Sequence, residues 1–150
     1  MNTAVEIEKH MTKYPVLATP DMTKLQALKL MKTFHFRHLP VMEEDTIVGV
    51  VSQRDLLQAT DSAPIGNLMT KNPYVVRAGT LLSEVTYKMA SEKYGSAVVA
   101  NSSGEMLGIF TTTDALKMLT WYLAKEEKES ELGRERLIEE WFTWDASMGE

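Results

Sequence analysis

The sequence predicts an α+β fold, made of two β-α-β-β-α repeats that pack on each other about a pseudo-twofold axis. One observation behind this prediction is a seven-residue motif at 49–55 that occurs again, 59 residues later, at 108–114. Both copies have glycine, two apolar residues, a hydroxyl residue, two variable residues and aspartate. A second observation is that Met-Thr-Lys-Xaa-Pro occurs at both 11–15 and 69–73. Matching segments in the same order indicate an internal duplication.

Hydrophobic periodicity predicts the elements of the first repeat in order. A short extended segment at 16–18 precedes an amphipathic helix at 24–34. Two strands joined by a polar turn follow at 38–42 and 47–52. A second helix begins at Ser52, the hydroxyl residue of the motif.

The second repeat has the corresponding pattern. Its extended segment, helix, two strands and long final helix are predicted at 74–76, 82–93, 97–100, 106–111 and 113–129. A short helical turn is expected before each repeat, at 4–9 and 65–69. Because a unit of about 55 residues buries little apolar surface alone, the two repeats should share a core.

These elements divide the chain into a first repeat at 1–60, a second at 61–123 and a tail at 124–150. The tail carries 4 basic and 9 acidic side chains, and therefore the whole net charge of −5. Its apolar residues gather on one face of a predicted helix: Leu137, Ile138, Trp141, Phe142 and, beyond them, Trp144. We expect this acidic amphipathic helix to pack on the same protein or its dimer mate, and it is also the place for a protein-binding surface.

Composition and charge argue against several classes of protein. No stretch approaches the roughly 18 consecutive apolar residues of a membrane span, and the first residues lack the basic and apolar regions of a signal peptide. Residues 1–123 are electrically neutral, unlike a nucleic-acid-binding domain. The lack of cysteine fits a reducing compartment. We therefore expect a cytoplasmic protein with neither membrane nor nucleic acid as a partner.

The repeated motif allows two interpretations. In the first, Ser52 with Asp55, and Thr111 with Asp114, are capping boxes that serve only to start a helix. In the second, free N–H groups and the hydroxyl at the helix N-terminus bind a phosphate, while the aspartate accepts hydrogen bonds from the two hydroxyls of a ribose. The ligand interpretation also explains the glycine of both copies, because glycine lets another group approach the strand closely.

Residues from about 5 to 123 resemble a tandem pair of CBS domains, the cystathionine-β-synthase-type repeat. The matching segments are 11–15, 38–41 and 49–55 in the first copy and 69–73, 94–98 and 108–114 in the second. The resemblance implies sheets packed back to back and two clefts related by pseudo-symmetry. It also implies binding of AMP, ADP, ATP or S-adenosylmethionine in those clefts.

The resemblance assigns ligand-binding residues repeat by repeat. The first cleft would use Val16, Phe36, Arg37, His38, Ser52, Arg54 and Asp55, and the second Tyr74, Tyr94, Gly95, Ser96, Thr111, Thr113 and Asp114. The aspartates would hold the ribose and the hydroxyl residues the phosphates. The residues before each copy's second strand would face the adenine, and Val16 and Tyr74 would close its other side. Because Arg37, His38 and Arg54 have uncharged counterparts, the first cleft should depend more strongly on phosphate number.

We therefore expect a regulatory, energy-sensing module that binds adenine nucleotides, forms a homodimer through its CBS helices and signals by conformational change. The alternative is a structural or protein-interaction module that acts through dimerisation and the C-terminal helix. His35 and His38 straddle a predicted helix end and a strand, which does not suit a metal site. Without a nucleophile–base pair, paired carboxylates or metal-ligand spacing, we expect neither an enzyme, a catalytic cofactor nor a bound metal.

Overall fold

The computed structural model describes residues 4–127. Two compact units make up the chain, at 1–112 and 113–150. The first unit contains two β-sheets and the helices that cover them, and the second contains nearly all of the last described helix. The protein is therefore of the predicted α+β class.

The elements follow the predicted order in both repeats. The first repeat has β1 (Thr12–Lys13), α1 (Lys24–Phe34), β2 (His38–Glu43), β3 (Thr46–Ser52) and α2 (Gln53–Leu56). The second has β4 (Thr70–Lys71), β5 (Val75–Arg77), α3 (Leu82–Glu92), β6 (Ser96–Ala100), β7 (Met106–Thr111) and α4 (Thr112–Glu126). Short 3-10 turns precede the repeats at Ile7–Lys9 and Ile65–Asn67. The extended segment predicted at 16–18 is reduced to a single parallel bridge between Ala18 and Val41.

Helix α1 shows how the sequence fixes an element locally. Its N-terminus has a complete capping box, in which the Gln26 N–H donates to Thr23 Oγ1 at 3.2 Å and the Thr23 N–H donates to Gln26 Oε1 at 2.9 Å. The helix buries Ala27 and Met31, and it ends at His35, whose φ of 57° is left-handed. Helix α3 ends in the same way at Lys93, with a φ of 59°. Both helices therefore stop abruptly just before a strand.

The two sheets exchange their short strands. The strand order is β1-β7-β6-β5 in one sheet and β2-β3-β4 in the other, and all pairs are antiparallel except β5 with β6. Strand β1 of the first repeat thus joins the sheet of the second, and β4 of the second repeat joins the sheet of the first. Neither two-residue strand was predicted, because their pairing partners lie in the other repeat.

The strand exchange explains the glycine that both motif copies share. A Cβ on Gly49 would lie 2.5 Å from Met69 Sδ, and a Cβ on Gly108 would lie 2.5 Å from the Thr12 carbonyl oxygen. The glycines therefore make room for the Met-Thr segments of the opposite repeat. The prediction that glycine admits a ligand is wrong in this respect, since the group that approaches is the protein's own exchanged chain.

The longer strands β3, β6 and β7 bury both of their faces. On β3, Val51 belongs to the core of the first repeat, with Met31, Leu39 and Leu56 around it. Its neighbour Val50 points the other way. The side chains that pack between the two sheets are Val50, Val98 and Ile109. Because successive side chains of β3 point to opposite faces, this strand contributes both to the core of the first repeat and to the core between the two sheets.

The second unit is described as far as residue 127. The helix predicted at 113–129 is observed as α4, which ends at Glu126. The apolar tail residues predicted to share a face, Leu137, Ile138, Trp141, Phe142 and Trp144, lie outside the described residues. No helix within 4–127 has the length and apolar character that crossing a membrane requires.

Candidate ligand-binding site

A cavity of about 920 Å³ lies in the first unit, and residues of both repeats line it. The first repeat contributes the start of β2 and the helix that follows β3, with Arg37, His38, Ser52, Gln53, Arg54 and Asp55. The second contributes the segments before β5 and β6, with Asn72, Pro73, Tyr74, Lys93, Tyr94, Gly95 and Ser96. Its volume lies within the range of small-molecule sites, and its lining combines aromatic with charged side chains.

Backbone hydrogen bonds hold the cavity-lining segments together in the same way in both repeats. The Gln53 N–H donates to the Arg37 carbonyl at 2.8 Å, and the Thr112 N–H donates to the Gly95 carbonyl at 3.1 Å. Arg37, directly before β2, and Gly95, directly before β6, are therefore each fixed beside the start of the helix that follows the next strand. In each repeat, this hydrogen bond explains why two segments that are far apart in the sequence lie side by side.

His38 and Gly95 bring the two repeats into contact at the cavity. A Cβ on Gly95 would lie 2.8 Å from His38 Nε2, so the missing side chain lets the ring approach. Burial lowers the pKa of His38; the Asp55 carboxylate opposes this shift and the Arg37 charge adds to it. His38 therefore contributes mainly a neutral imidazole to the cavity near pH 7.

Ser52 and Asp55 form a complete capping box at the start of α2. The Ser52 N–H donates to Asp55 Oδ2 at 2.7 Å, and the Asp55 N–H donates to Ser52 Oγ at 3.2 Å. The capping interpretation is thus confirmed for the first copy of the motif. An ionised carboxylate can accept about four hydrogen bonds, so the box leaves half-buried Asp55 with capacity for a ligand.

The start of α2 has few free N–H groups for the phosphate that the motif predicts there, and this role of Ser52 stays a prediction. Two of its N–H groups are already bonded within the protein, Gln53 to the Arg37 carbonyl and Asp55 to Ser52 Oγ. The helix is also only four residues long, which gives it a small dipole. The cationic side chains that line the cavity are those of Arg37, Arg54 and Lys93.

Two residues predicted for the first cleft do not line this cavity. Val16 packs against the core of the first repeat. Phe36 lines a separate cavity of about 560 Å³, which also contains Lys32 and His35. Arg37 and Gln53 line both cavities and so form the wall between them.

The residues predicted for the second cleft are divided in the structure. Tyr74, Tyr94, Gly95 and Ser96 line the large cavity together with the first-repeat residues. Thr111 ends β7 and pairs with Ser96. Thr113 and Asp114 lie at the start of α4 in the second unit, and their role in ligand binding stays a prediction.

Lys93 is a charged cavity residue that the sequence interpretation missed. It is the left-handed C-cap of α3, directly before the predicted Tyr94–Ser96 segment. Its counterpart in the other repeat is His35, which lines the smaller cavity instead. A basic residue at the helix end next to a predicted ligand segment was the available signal.

Within residues 4–127, no three His, Cys, Asp or Glu side chains are grouped so that they could hold a metal ion. The cavity therefore has to be understood from its cations, its carboxylate and its aromatic rings.

Comparison with known proteins shows the family. The model of the CBS domain matches the chain twice, at 4–62 and 65–120. The chain therefore belongs to the CBS domain family, as the resemblance of its repeated segments indicated. The matched segments contain every residue that lines the large cavity.

Solved structures of similar chains support the same conclusion. The AcuB protein of Vibrio cholerae is 26% identical with a TM-score of 0.74, and the match covers 85% of this chain and 99% of that one. The CBSX2 protein, solved in complex with AMP, is 26% identical with a TM-score of 0.69, and the match covers 79% of this chain and 98% of that one. Both matches extend over nearly the whole of the other chain.

Similarity to longer proteins is confined to one part of them. The inosine-5'-monophosphate dehydrogenase of Mycobacterium tuberculosis is 27% identical over 128 residues, which are 83% of this chain and 24% of the enzyme. The chain spans between 24% and 44% of the length of the first curated relatives that it matches.

Proposed function

We propose that this protein is a regulatory module that binds an adenine nucleotide in the large cavity. The observation that carries the proposal is the presence of Asp55 in one cavity with Arg37, Arg54 and Lys93. A carboxylate suits the two hydroxyls of a ribose, and guanidinium and ammonium groups suit phosphates. A nucleotide presents both kinds of group on one molecule. AMP in the related CBSX2 structure supports this choice of ligand.

Charge favours ligands with several phosphates. The whole chain has a net charge of −5, yet this cavity has three cationic side chains and the single carboxylate of Asp55. Such a concentration of one sign in a concave site raises the local concentration of oppositely charged ligands. ADP and ATP should therefore bind more tightly than AMP, and AMP more tightly than adenosine. S-adenosylmethionine, which has a positively charged sulfonium, should bind less tightly than ATP.

A homodimer is the second part of the proposal. Apolar side chains are exposed on both long helices of the first unit, among them Leu25 and Phe34 on α1 and Tyr87 on α3. We propose that a second copy covers them and that ligand binding changes the angle between repeats or subunits. A ligand can do this only through its different affinities for the two arrangements. A protein partner bound through the tail would receive the signal.

Calorimetric titration with adenosine, AMP, ADP and ATP tests the ligand proposal. Affinity should rise along this series for the wild type. Arg54→Ala should weaken ATP binding about tenfold, since a charge-assisted hydrogen bond contributes about 1.5 kcal/mol or more, and should leave adenosine binding unchanged. Arg77→Ala is the matched control, because Arg77 is an exposed basic residue on β5 that does not line the cavity.

The second candidate is a structural or interaction module without a ligand. The observation that favours it is the capping box, which gives Ser52 and Asp55 a complete role in starting α2. For such a module, calorimetric titration with adenosine, AMP, ADP and ATP should show no heat of binding, and none of these compounds should change the dimer.

A further inference from the structure

The smaller cavity, of about 560 Å³, is built from the first repeat alone. Small-molecule sites have volumes of roughly 300–1,000 Å³. Four of its lining residues follow the spacing i, i+3, i+4 and i+7 and therefore share one face of α1 and its C-cap: Leu28, Met31, Lys32 and His35. The cavity thus lies along a helix of one repeat, whereas residues of both repeats line the large cavity.

The left-handed end of α1 adds the other lining residues. His35 has a φ of 57°, and the Phe36 N–H donates to the Met31 carbonyl at 3.1 Å, so the chain turns back beside the helix. Arg37 follows directly, and its carbonyl accepts from the Gln53 N–H at 2.8 Å. This hydrogen bond brings the start of α2 to the cavity, where Gln53 completes the lining.

The charged side chains of this cavity all have one sign. Lys32 and Arg37 are cationic, His35 adds an imidazole, and none of the described lining residues is acidic. Within residues 4–127, no ion pair involves any of these three side chains. The helix dipole favours a basic residue in the last turn, which would explain Lys32, but Arg37 lies beyond the helix end. In a chain with a net charge of −5, this concentration of basic groups favours an anion.

Apolar side chains form much of the remaining lining. They are those of Leu28, Met31 and Phe36, and the Phe36 ring stacks on Phe34 with centroids 6.2 Å apart. A ribose would find no carboxylate here of the kind that Asp55 offers in the large cavity. The lining therefore suits an anion with an apolar body better than it suits a nucleotide.

We propose that the smaller cavity is a second small-molecule site, which binds an organic anion with a carboxylate or phosphate group on an apolar body. Lys32 and Arg37 bind the anionic group through charge-assisted hydrogen bonds, and Leu28 and Phe36 pack against the body. The two cavities share only Arg37 and Gln53. The site therefore goes beyond the proposed function, and it would remain if the large cavity bound no nucleotide.

Amide NMR titration of the wild type with four probes tests the site. The probes are phenyl phosphate, benzoate, inorganic phosphate and benzyl alcohol. At least one of the two organic anions should bind more tightly than both inorganic phosphate and benzyl alcohol, because only the organic anions offer a charge together with an apolar body. The shifted amide signals should include those of Lys32, His35 and Gln53. The tighter of the two organic anions identifies the anionic group that the site prefers.

Lys32→Ala should weaken binding of the tighter organic anion about three- to tenfold, as expected for the loss of one charged contact. Lys29→Ala is the matched control, because Lys29 is an exposed lysine of the same helix that does not line either cavity. Both variants should keep the melting temperature of the wild type, since alanine is a good helix former.

Three results would overturn the proposal. One is the absence of shifts at this cavity with either organic anion. Another is binding of inorganic phosphate as tight as that of the organic anions, which would indicate an unspecific cationic surface. The third is an equal effect of Lys29→Ala and Lys32→Ala, because the anion would then respond only to the charge of the helix.

Discussion

At the residue scale, Gly49 and Gly108 show that a repeated motif can identify a constrained position without identifying the contact that constrains it. Their recurrence in the sequence marked them as constrained positions, but it did not reveal the cause. The atoms that constrain Gly108 belong to Met11 and Thr12, which lie almost a hundred residues earlier in the chain. No local pattern records such a contact. The close approach was foreseeable, and the identity of the approaching group was not.

Gly108→Ala should lower the free energy of unfolding by about 1–3 kcal/mol, the usual cost of overpacking. The added Cβ would meet the Thr12 carbonyl oxygen at 2.5 Å, and a backbone atom in a sheet cannot move away cheaply. Gly95→Ala is the comparison, because its Cβ would meet the His38 ring, which can rotate. Urea denaturation should show the larger loss for Gly108→Ala. Equal midpoints for the two variants would contradict the exchanged-strand explanation.

His38 should make stability depend on pH. Its pKa in the folded protein lies below the ordinary value of 6.5, so below pH 6.5 the unfolded chain binds more protons. Stability is therefore complete above about pH 6.5 and decreases as the pH falls from there towards the folded pKa. His38→Gln should flatten this slope in denaturation curves recorded from pH 7.5 to 5. His10, whose pKa burial also lowers, keeps its own contribution in the variant. An unchanged slope would show that His38 is not buried as described.

At the element scale, the long elements were predictable and the exchanged ones were not. Helix α1 and strand β7 have the predicted bounds, because a capping box and a clear apolar pattern define them locally. Strands β1 and β4 have two exposed residues each, so periodicity gives no signal. Their existence depends on a partner strand in the other repeat.

A fragment of residues 61–127 should therefore fail to fold on its own, although it contains the whole second repeat. It would lose β1 from the edge of its sheet and the segment that binds the start of α3. That segment makes three hydrogen bonds, from the Ile7 N–H to Thr80 O, from the Leu82 N–H to Val5 O and from the Gly79 N–H to Glu8 Oε2.

The fragment of residues 4–127 is the control for this experiment. Amide NMR spectra should be well dispersed for 4–127 and collapsed for 61–127. A dispersed spectrum and cooperative unfolding of the shorter fragment would show that the repeats are independent and that strand exchange is dispensable.

At the scale of the whole molecule, the sequence identified many of the residues that line the cavity, but it did not show that residues of both repeats line it together. Site residues were assigned one repeat at a time, whereas the structure brings Arg37, Asp55, Tyr74 and Tyr94 to one cavity. Residues of both repeats line the cavity because His38 of the first repeat lies against Gly95 of the second. The sequence of neither repeat alone indicates this contact. The charges of the cavity are likewise a property of the assembled unit, since Lys93 acquires its place only through the left-handed end of α3.

Asp55 should bind a ligand as well as cap a helix, and the chain offers a matched pair of variants to separate the two roles. Asp55→Ala and Gln26→Ala each remove the acceptor side chain of a capping box, and Gln26 does not line the cavity. Both should lower the free energy of unfolding by about 1 kcal/mol.

The most direct test is thermal unfolding of the wild type and both variants with and without ATP at about 100 times the wild-type dissociation constant. ATP should stabilise the wild type and Gln26→Ala by about 2.7 kcal/mol, and Asp55→Ala by less than half as much. If ATP stabilises Asp55→Ala as strongly as Gln26→Ala, or stabilises none of the three proteins, Asp55 only caps its helix and does not bind the nucleotide.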